Sequence, residues 1–394
     1  MTRPIDVVIA PDSFGGALDS VGVADAIAAG WRRARPGDAV REIPMADGGE
    51  GTLAAIAAAL GDAAERRSLE TVDPQGRPVT ADWLLLGEGR GAFVEMAAAS
   101  GLALLRPAER SVDSCRAAST RGTGDLLRAA LDANVERITL GLGGSATTDG
   151  GSGMLAALGA RFLDADGRDL PPGGAALARL ARIDAGGLDP RLKEIKLVVA
   201  SDVTNPLCGP HGAAATYGPQ KGADAGAVAE LDAALAVYGD AIEAAAGRLV
   251  ADIPGAGAAG GTTAALLGFT SATVRPGVDV VAELVGLADA LEQADLVITG
   301  EGRADEQTLS GKAAMGVARL ARTRSAPVVL LTGGLGHGAA ALDASGVFAV
   351  VQPIGDRPMT LEESMADTER LLTNAAERVA RSVDIGLSLA NGTR

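Results

Sequence analysis

Short, uninterrupted apolar runs alternate along this chain with longer segments whose apolar residues recur at helical spacing. The first run, Val7-Val8-Ile9-Ala10, has the continuous hydrophobicity of a strand covered on both faces. A turn, Pro11-Asp12-Ser13-Phe14-Gly15-Gly16, separates it from Ser20 to Arg35, which reads as an amphipathic helix. The succession repeats with a strand near Val40 to Pro44, the loop Met45 to Gly51 and an alanine-rich helix from Thr52 to Leu60. Towards the other end, Asp295 to Thr299 reads as a buried strand that enters a glycine-rich loop, Gly300 to Lys312, and then a helix. Pro327 to Thr332 and Val347 to Pro353 add two more strands. The middle differs. Val79 to Leu86, framed by the turn signals DPQG and GEGRG, reads as antiparallel, and Asp166-Gly167 marks a tight turn after Arg161-Phe162-Leu163.

This alternation predicts an α/β protein with a largely parallel sheet. The two ends share one style and the middle has another. The pattern therefore predicts a discontinuous domain of residues 1–70 and 293–394, with a second α/β domain inserted at 71–292. At 394 residues, and about 150 residues per domain, the chain has room for two or three cores.

Composition narrows the partners. Lys and Arg number 35 against 50 Asp and Glu, a formal charge of −15. Nucleic acid and anionic membrane surfaces need a positive face and are excluded. Aromatic residues make up only 2%, too few for base-stacking platforms of the kind that bind RNA or single strands. Four of the 35 basic residues are lysines. Lys193 and Lys196 lie in an ordinary charged stretch, whereas Lys221 and Lys312 sit in glycine-rich loops, where a compact ammonium is a specific choice. Cys115, Cys208, His211 and His337 have neither a disulfide framework nor a metal-type spacing, as expected of a cytoplasmic protein. The N-terminal apolar run is too short for a signal peptide. The uncharged stretch from Ile253 to Val274 is too rich in Gly, Thr and Ser to span a membrane.

Ligands of open α/β sheets bind beyond the carboxyl ends of the strands. Five loops fall there: Pro11 to Gly16, Met45 to Gly51, Gly141 to Gly153, Ser201 to Asn205, and Gly300 to Lys312. In the third, glycines let backbone amides approach a ligand, and a helix starting near Gly151 would aim its positive end at a phosphate or carboxylate. Ser145, Thr147 and Thr148 add hydroxyls. Asp47, Glu50, Asp202, Glu301 and Asp305 are carboxylates of the kind that hold Mg²⁺ in phosphoryl transfer, although a single loop acid more often caps a helix. Lys312 could neutralise a transferring phosphoryl group or grip a carboxylate. Cys208 has no base partner in sequence and reads as packing.

Two reaction classes stay open at this point. Gly141, Gly143 and Ala146 match a G-x-G-x-x-A dinucleotide fingerprint, with Asp164 at the position of the ribose-binding acid, which suggests an NAD-dependent hydroxy-acid oxidoreductase. A second match at Gly255, Gly257 and Gly260 has no strand before it and shows how easily the pattern arises in this chain. Neither a Walker A motif nor a kinase catalytic loop is present, so a phosphotransferase would need another scaffold.

The blocks APDSFGG, PMADGGEGT, STRGTGDL, GLGGSATTDGGSGML, DVTNPLCGP, YGPQKGA, PGAGAAGG and DLVITGEGRADEQTLSGK, in this order, resemble the bacterial type I glycerate kinase family. The resemblance implies ATP-dependent, Mg²⁺-assisted phosphorylation of D-glycerate, at O2 rather than O3 on the family's chemistry. A glycerate 3-kinase or a kinase of a related small hydroxy acid is the nearest alternative. It also implies a Rossmann-like domain made from both chain ends and an inserted α/β domain, with the active site in the cleft between them; a homodimer is compatible. On this resemblance, Asp47, Asp202 and Lys312 would be catalytic. Asp12, Ser13, Glu50, Arg303 and Asp305 would meet glycerate. Gly143, Gly144, Ser145, Thr147 and Lys221 would meet ATP, and Asp202 and Glu301 the metal. One departure stands out: the family's first loop usually reads D-S-F-K-G, whereas this chain has Gly15 in place of the lysine. If that charge is needed, Arg303, Arg121 or Lys312 would supply it.

Overall fold

The structure, a computed structural model, describes residues 3–310, 313–390 and 392; Lys312 lies outside the described residues. The chain divides into two compact units, one of Met1–Asp47, Ala54–Gly61 and Val278–Arg394, the other of Gly48–Leu53 and Asp62–Gly277.

The first unit is built on a five-stranded, fully parallel sheet in the order Val350–Pro353, Val328–Leu335, Leu296–Ala304, Asp6–Ile9, Ala39–Glu42. Val7 pairs with Leu296 on one side and Val40 on the other. Val7, Ile9 and Ile298 form one buried cluster with Trp31 and Leu371 from the helices Ser20–Ala34 and Thr368–Ala390. Those helices cross in backbone contact. A Cβ on Gly30 would stand 2.0 Å from the Thr373 carbonyl oxygen, so only glycine permits the crossing.

One strand is longer than its apolar run suggests. Leu296–Ala304 continues past Thr299, which places Glu301 and Arg303 in the sheet rather than in a loop. Glu301 pairs with Thr332 and Arg303 with Gly334. Ladder pairing with a long neighbour overrides the turn preference of Gly300 and Gly302, as strand propensity generally yields to sheet context.

The second unit holds a six-stranded mixed sheet in the order Thr273–Arg275, Lys196–Ala200, Arg137–Gly141, Gly91–Glu95, Pro78–Leu86, Ala64–Val72. The first four strands run parallel, and the last two form the antiparallel extension expected around Val79 to Leu86. Helix Arg121–Asp132 buries Leu126 and Leu127 with Ile138 and Leu140 of the sheet, and helix Ala225–Ala246 adds Leu231, Leu235 and Tyr238 to the same core. The chain is thus a mixed α/β protein with parallel sheets. Among the described residues, no helix is long and apolar enough to cross a membrane.

Candidate active site

In the first unit, the strands Asp6–Ile9, Ala39–Glu42 and Leu296–Ala304 bring Asp12, Asp47 and Glu301 together. The Asp12 backbone N–H donates to Gly300 O at 2.9 Å, tying the turn to the strand. Its carboxylate accepts from Ser13 N at 2.7 Å. Burial, with the negative charges of Asp47 and Glu301 added, pushes the Asp12 carboxyl up to about 7 against the pull of that hydrogen bond. Glu301 is buried and accepts from the Thr308 hydroxyl at 2.7 Å; the same hydroxyl accepts from Asp305 N at 3.1 Å. Arg303 reaches Asp305 at 3.6 Å. Gly15 stands in open space, with nothing within 4 Å of a Cβ built on it.

In the second unit, glycine serves loop crossing first. A Cβ on Gly143 would stand 2.3 Å from Gly49 Cα, and one on Gly141 would stand 2.6 Å from Gly48 O. The two loops therefore touch backbone to backbone, joined by Gly143 N donating to Gly48 O at 3.2 Å. A third segment locks onto the later part of the Gly141–Gly153 loop. Ala259, Gly260 and Gly261 form a left-handed turn, Gly150 N donates to Gly260 O at 2.9 Å, and a Cβ on Gly260 would lie 2.0 Å from Thr147 O.

Buried charges hold this arrangement. The Lys221 ammonium is buried and donates to Thr147 O at 2.6 Å and Ser145 Oγ at 3.1 Å; burial lowers it to about 8. Thr147 is itself fully buried, and its hydroxyl has no hydrogen-bond partner. The helix start near Gly151 is also already occupied. Asp149 accepts from Gly151 N at 3.1 Å, Gly153 N at 3.1 Å, and Thr120 N and Oγ1 at 2.9 Å each. An internal carboxylate takes the place that a ligand anion was expected to fill, and burial pushes it above its ordinary range despite four donors. Glu95 likewise accepts from Gly51 N at 3.1 Å and Leu53 N at 2.7 Å, fixing the loop that carries Glu50. Asp202 is exposed and accepts from Gly277 N at 3.1 Å.

Beside the Gly143-Gly144-Ser145 loop lies a pocket of about 410 Å³, in the size range of ligand sites, which Glu50, Lys221 and Tyr217 also line. The first unit thus collects Asp12, Ser13, Asp47 and Glu301, and the second collects Glu50, Gly143, Gly144, Ser145 and Lys221. Among the described residues no three metal-binding side chains form a ready-made cage.

Residue patterns missed Asp149 and Glu95. The signals were an aspartate directly before Gly150-Gly151 and a lone carboxylate closing the apolar run Ala92-Phe93-Val94. Burial and nearby aspartates push the Cys208 thiol up to about 12, away from the thiolate form a nucleophile needs. The dinucleotide fingerprint lacks its required context. Asp164 closes a turn by accepting from Asp166 N and Arg168 N at 2.9 Å each. The strand before it, Arg161–Leu163, pairs antiparallel with Arg182–Asp184, outside the parallel sheet. The parallel neighbours of Arg137–Gly141 are Gly91–Glu95 and Lys196–Ala200, so the strand that precedes Asp164 does not stand where a ribose-binding acid is carried.

Comparison with known proteins agrees with the motif blocks. A family model described as the glycerate kinase family matches residues 7–384. The glycerate kinase of Bacillus subtilis is 43% identical over 97% of this chain and 99% of its own length. The glycerate 2-kinase of Escherichia coli is 43% identical over 97% of this chain and 98% of its own. A crystal structure of the provisionally named glycerate kinase 2 from Salmonella typhimurium LT2 superposes with a TM-score of 0.85 at 42% identity, covering 98% of this chain and 99% of that one. The chain belongs to the glycerate kinase family.

Proposed function

We propose that this protein transfers the terminal phosphoryl group of ATP to O2 of D-glycerate, giving 2-phospho-D-glycerate and ADP. The observation that carries the reading is the match to glycerate kinases along nearly the whole chain. O2 is chosen over O3 because one such relative, from Escherichia coli, is a glycerate 2-kinase.

The two units suggest a division of labour. In the first, Asp12, Ser13, Arg303 and Asp305 bind glycerate, and Asp47 accepts the hydroxyl proton as the new P–O bond forms. In the second, the Gly143-Gly144-Ser145 loop receives the nucleotide phosphates, with Glu50 and Asp202 beside it. Lys221 and Thr147 act from behind, as positioning residues. Lys312 supplies positive charge to the transferring group. Such reactions rest mainly on positioning and charge neutralisation.

Mg²⁺ suits the chemistry of the first unit's donors, because Asp12, Asp47 and Glu301 are hard oxygen ligands, and with no three of them forming a cage one or two would hold it together with the substrate phosphates. Glu301 would hold it there, with Asp202 as the second unit's candidate, and the ion would screen the phosphate charge.

Incubation with ATP, Mg²⁺ and D-glycerate should release ADP, and phosphorus NMR should show the 2-phosphate. A 3-phosphate would overturn the site of transfer. Absence of ADP together with NAD⁺-dependent oxidation of glycerate would overturn the reaction class.

A further inference from the structure

The pocket beside the Gly143–Ser145 loop is far larger than a three-carbon acid. Its lining is of two kinds: Glu50, Ser145 and Lys221 are charged or polar, whereas Leu102, Ala103 and Tyr217 present apolar surface. A nucleotide has the same two-part character, a charged tail and a flat base. Resting on the phosphoryl-transfer reading, we propose that the purine of the nucleotide stacks on the Tyr217 ring beside Leu102 and Ala103, with the Gln220 amide hydrogen-bonded to its Watson–Crick edge.

Aromatic side chains are scarce here: 2 Trp, 2 Tyr and 5 Phe in 394 residues. The other tyrosine, Tyr238, is fully buried in the core. Tyr217 is half-buried, and its hydroxyl donates to Asn205 Oδ1 at 2.8 Å. Asn205 in turn donates to His211 O at 2.8 Å and Thr216 Oγ1 at 3.2 Å. The hydroxyl is thus committed to fixing the ring, which leaves the face as the part that can meet a ligand. The turn that carries Leu102 and Ala103, which also line the pocket, is fixed too, because Arg110 donates to Leu102 O at 3.1 Å and Leu105 O at 3.2 Å. A fixed aromatic ring and a fixed apolar turn lining one pocket suit a planar ring better than a flexible chain. Gln220 is exposed at the rim, and its amide offers a donor and an acceptor side by side, as a purine edge requires.

The test is steady-state kinetics with ATP and glycerate varied separately, together with calorimetric titration of ADP. Tyr217→Leu should raise both KM for ATP and Kd for ADP about tenfold or more, the usual scale of a lost base stack, while KM for glycerate stays within about twofold. Tyr217→Phe keeps the face and should stay within about threefold of the parent. Gln220→Glu presents acceptors only, which suits the N–H donors of guanine, and should move the ATP-to-GTP ratio of kcat/KM about tenfold towards GTP. If Tyr217→Leu fails to fold, the surface variant Gln220→Glu decides. Unchanged ADP affinity and unchanged nucleotide preference would overturn the proposal while leaving the kinase reading intact. A parent protein that binds ADP but transfers no phosphate would overturn that reading instead, and the ADP titrations of the variants would still decide the base site.

Discussion

Buried charge behaves in opposite ways in the two units. In the first, burial pushes the Asp12 carboxyl up to about 7 against the single backbone N–H of Ser13 that it accepts from, and the like charges of Asp47 and Glu301 add to the push. In the second, Asp149, Glu95 and Lys221 are at least as deeply buried, yet backbone groups meet each of them at hydrogen-bond distance. Burial alone therefore says little about the role of a charge. A carboxylate held among other carboxylates is poised for a cation or a proton from outside. One surrounded by amide donors shapes the backbone.

The sharpest way to break this distinction is Asp149→Ala, which leaves three backbone N–H groups and a hydroxyl without their acceptor. It should destabilise the protein by about 3–5 kcal/mol in urea titration, and a loss below about 1 kcal/mol would remove Asp149 from its structural role.

Next comes Asp12. Folded, it keeps its proton to about pH 7; unfolded, it loses it near its ordinary 3.8. Between those values the folded state binds more protons, so stability should fall as pH rises through the window, by up to about 4 kcal/mol. Asp12→Asn should flatten that slope in metal-free buffer and raise Tm more at pH 8 than at pH 5. Equal slopes for parent and variant in thermal melts would show that the surroundings of Asp12 do not hold its proton.

Gly143→Ala must separate two loops that touch, and should cost about 1–3 kcal/mol in denaturant titration, with activity falling alongside. Lys221→Met exchanges two hydrogen bonds for the removal of a buried charge. Its stability should change by less than about 1 kcal/mol, while KM for ATP rises about tenfold as the loop loses its brace. Activity assays that showed kcat alone affected would move Lys221 from positioning to chemistry. The smallest effect is expected from Gly15→Lys, because the site is open. Tm should barely move, and the added cation should draw the Asp12 titration downward, measurable by carboxyl NMR.

The parallel strands were legible because buried strands carry continuous apolar runs, as Val7 to Ala10 and Leu296 to Thr299 do. Where they end was less legible. Glu301 looked like a loop acid because glycines flank it, and only pairing with Thr332 shows that it belongs to a strand. The candidate acids were readable by residue type. Whether each faces like charges or amide donors depends on contacts across long stretches of chain, such as Thr120 with Asp149 or Lys221 with Thr147. The glycines of the third loop serve close approach, as their pattern implies, and one approaching partner is the backbone at Gly49.

The triple crossing of Gly48–Gly49, Gly141–Gly151 and Ala259–Gly261 has a consequence for how this scaffold can change. No one of these stretches can take a new path while the other two stay put, because each contact leaves no space for even a methyl group. Transplanting the phosphate-side loop into another kinase would therefore require all three stretches together, and homologous chains are expected to vary them as a set.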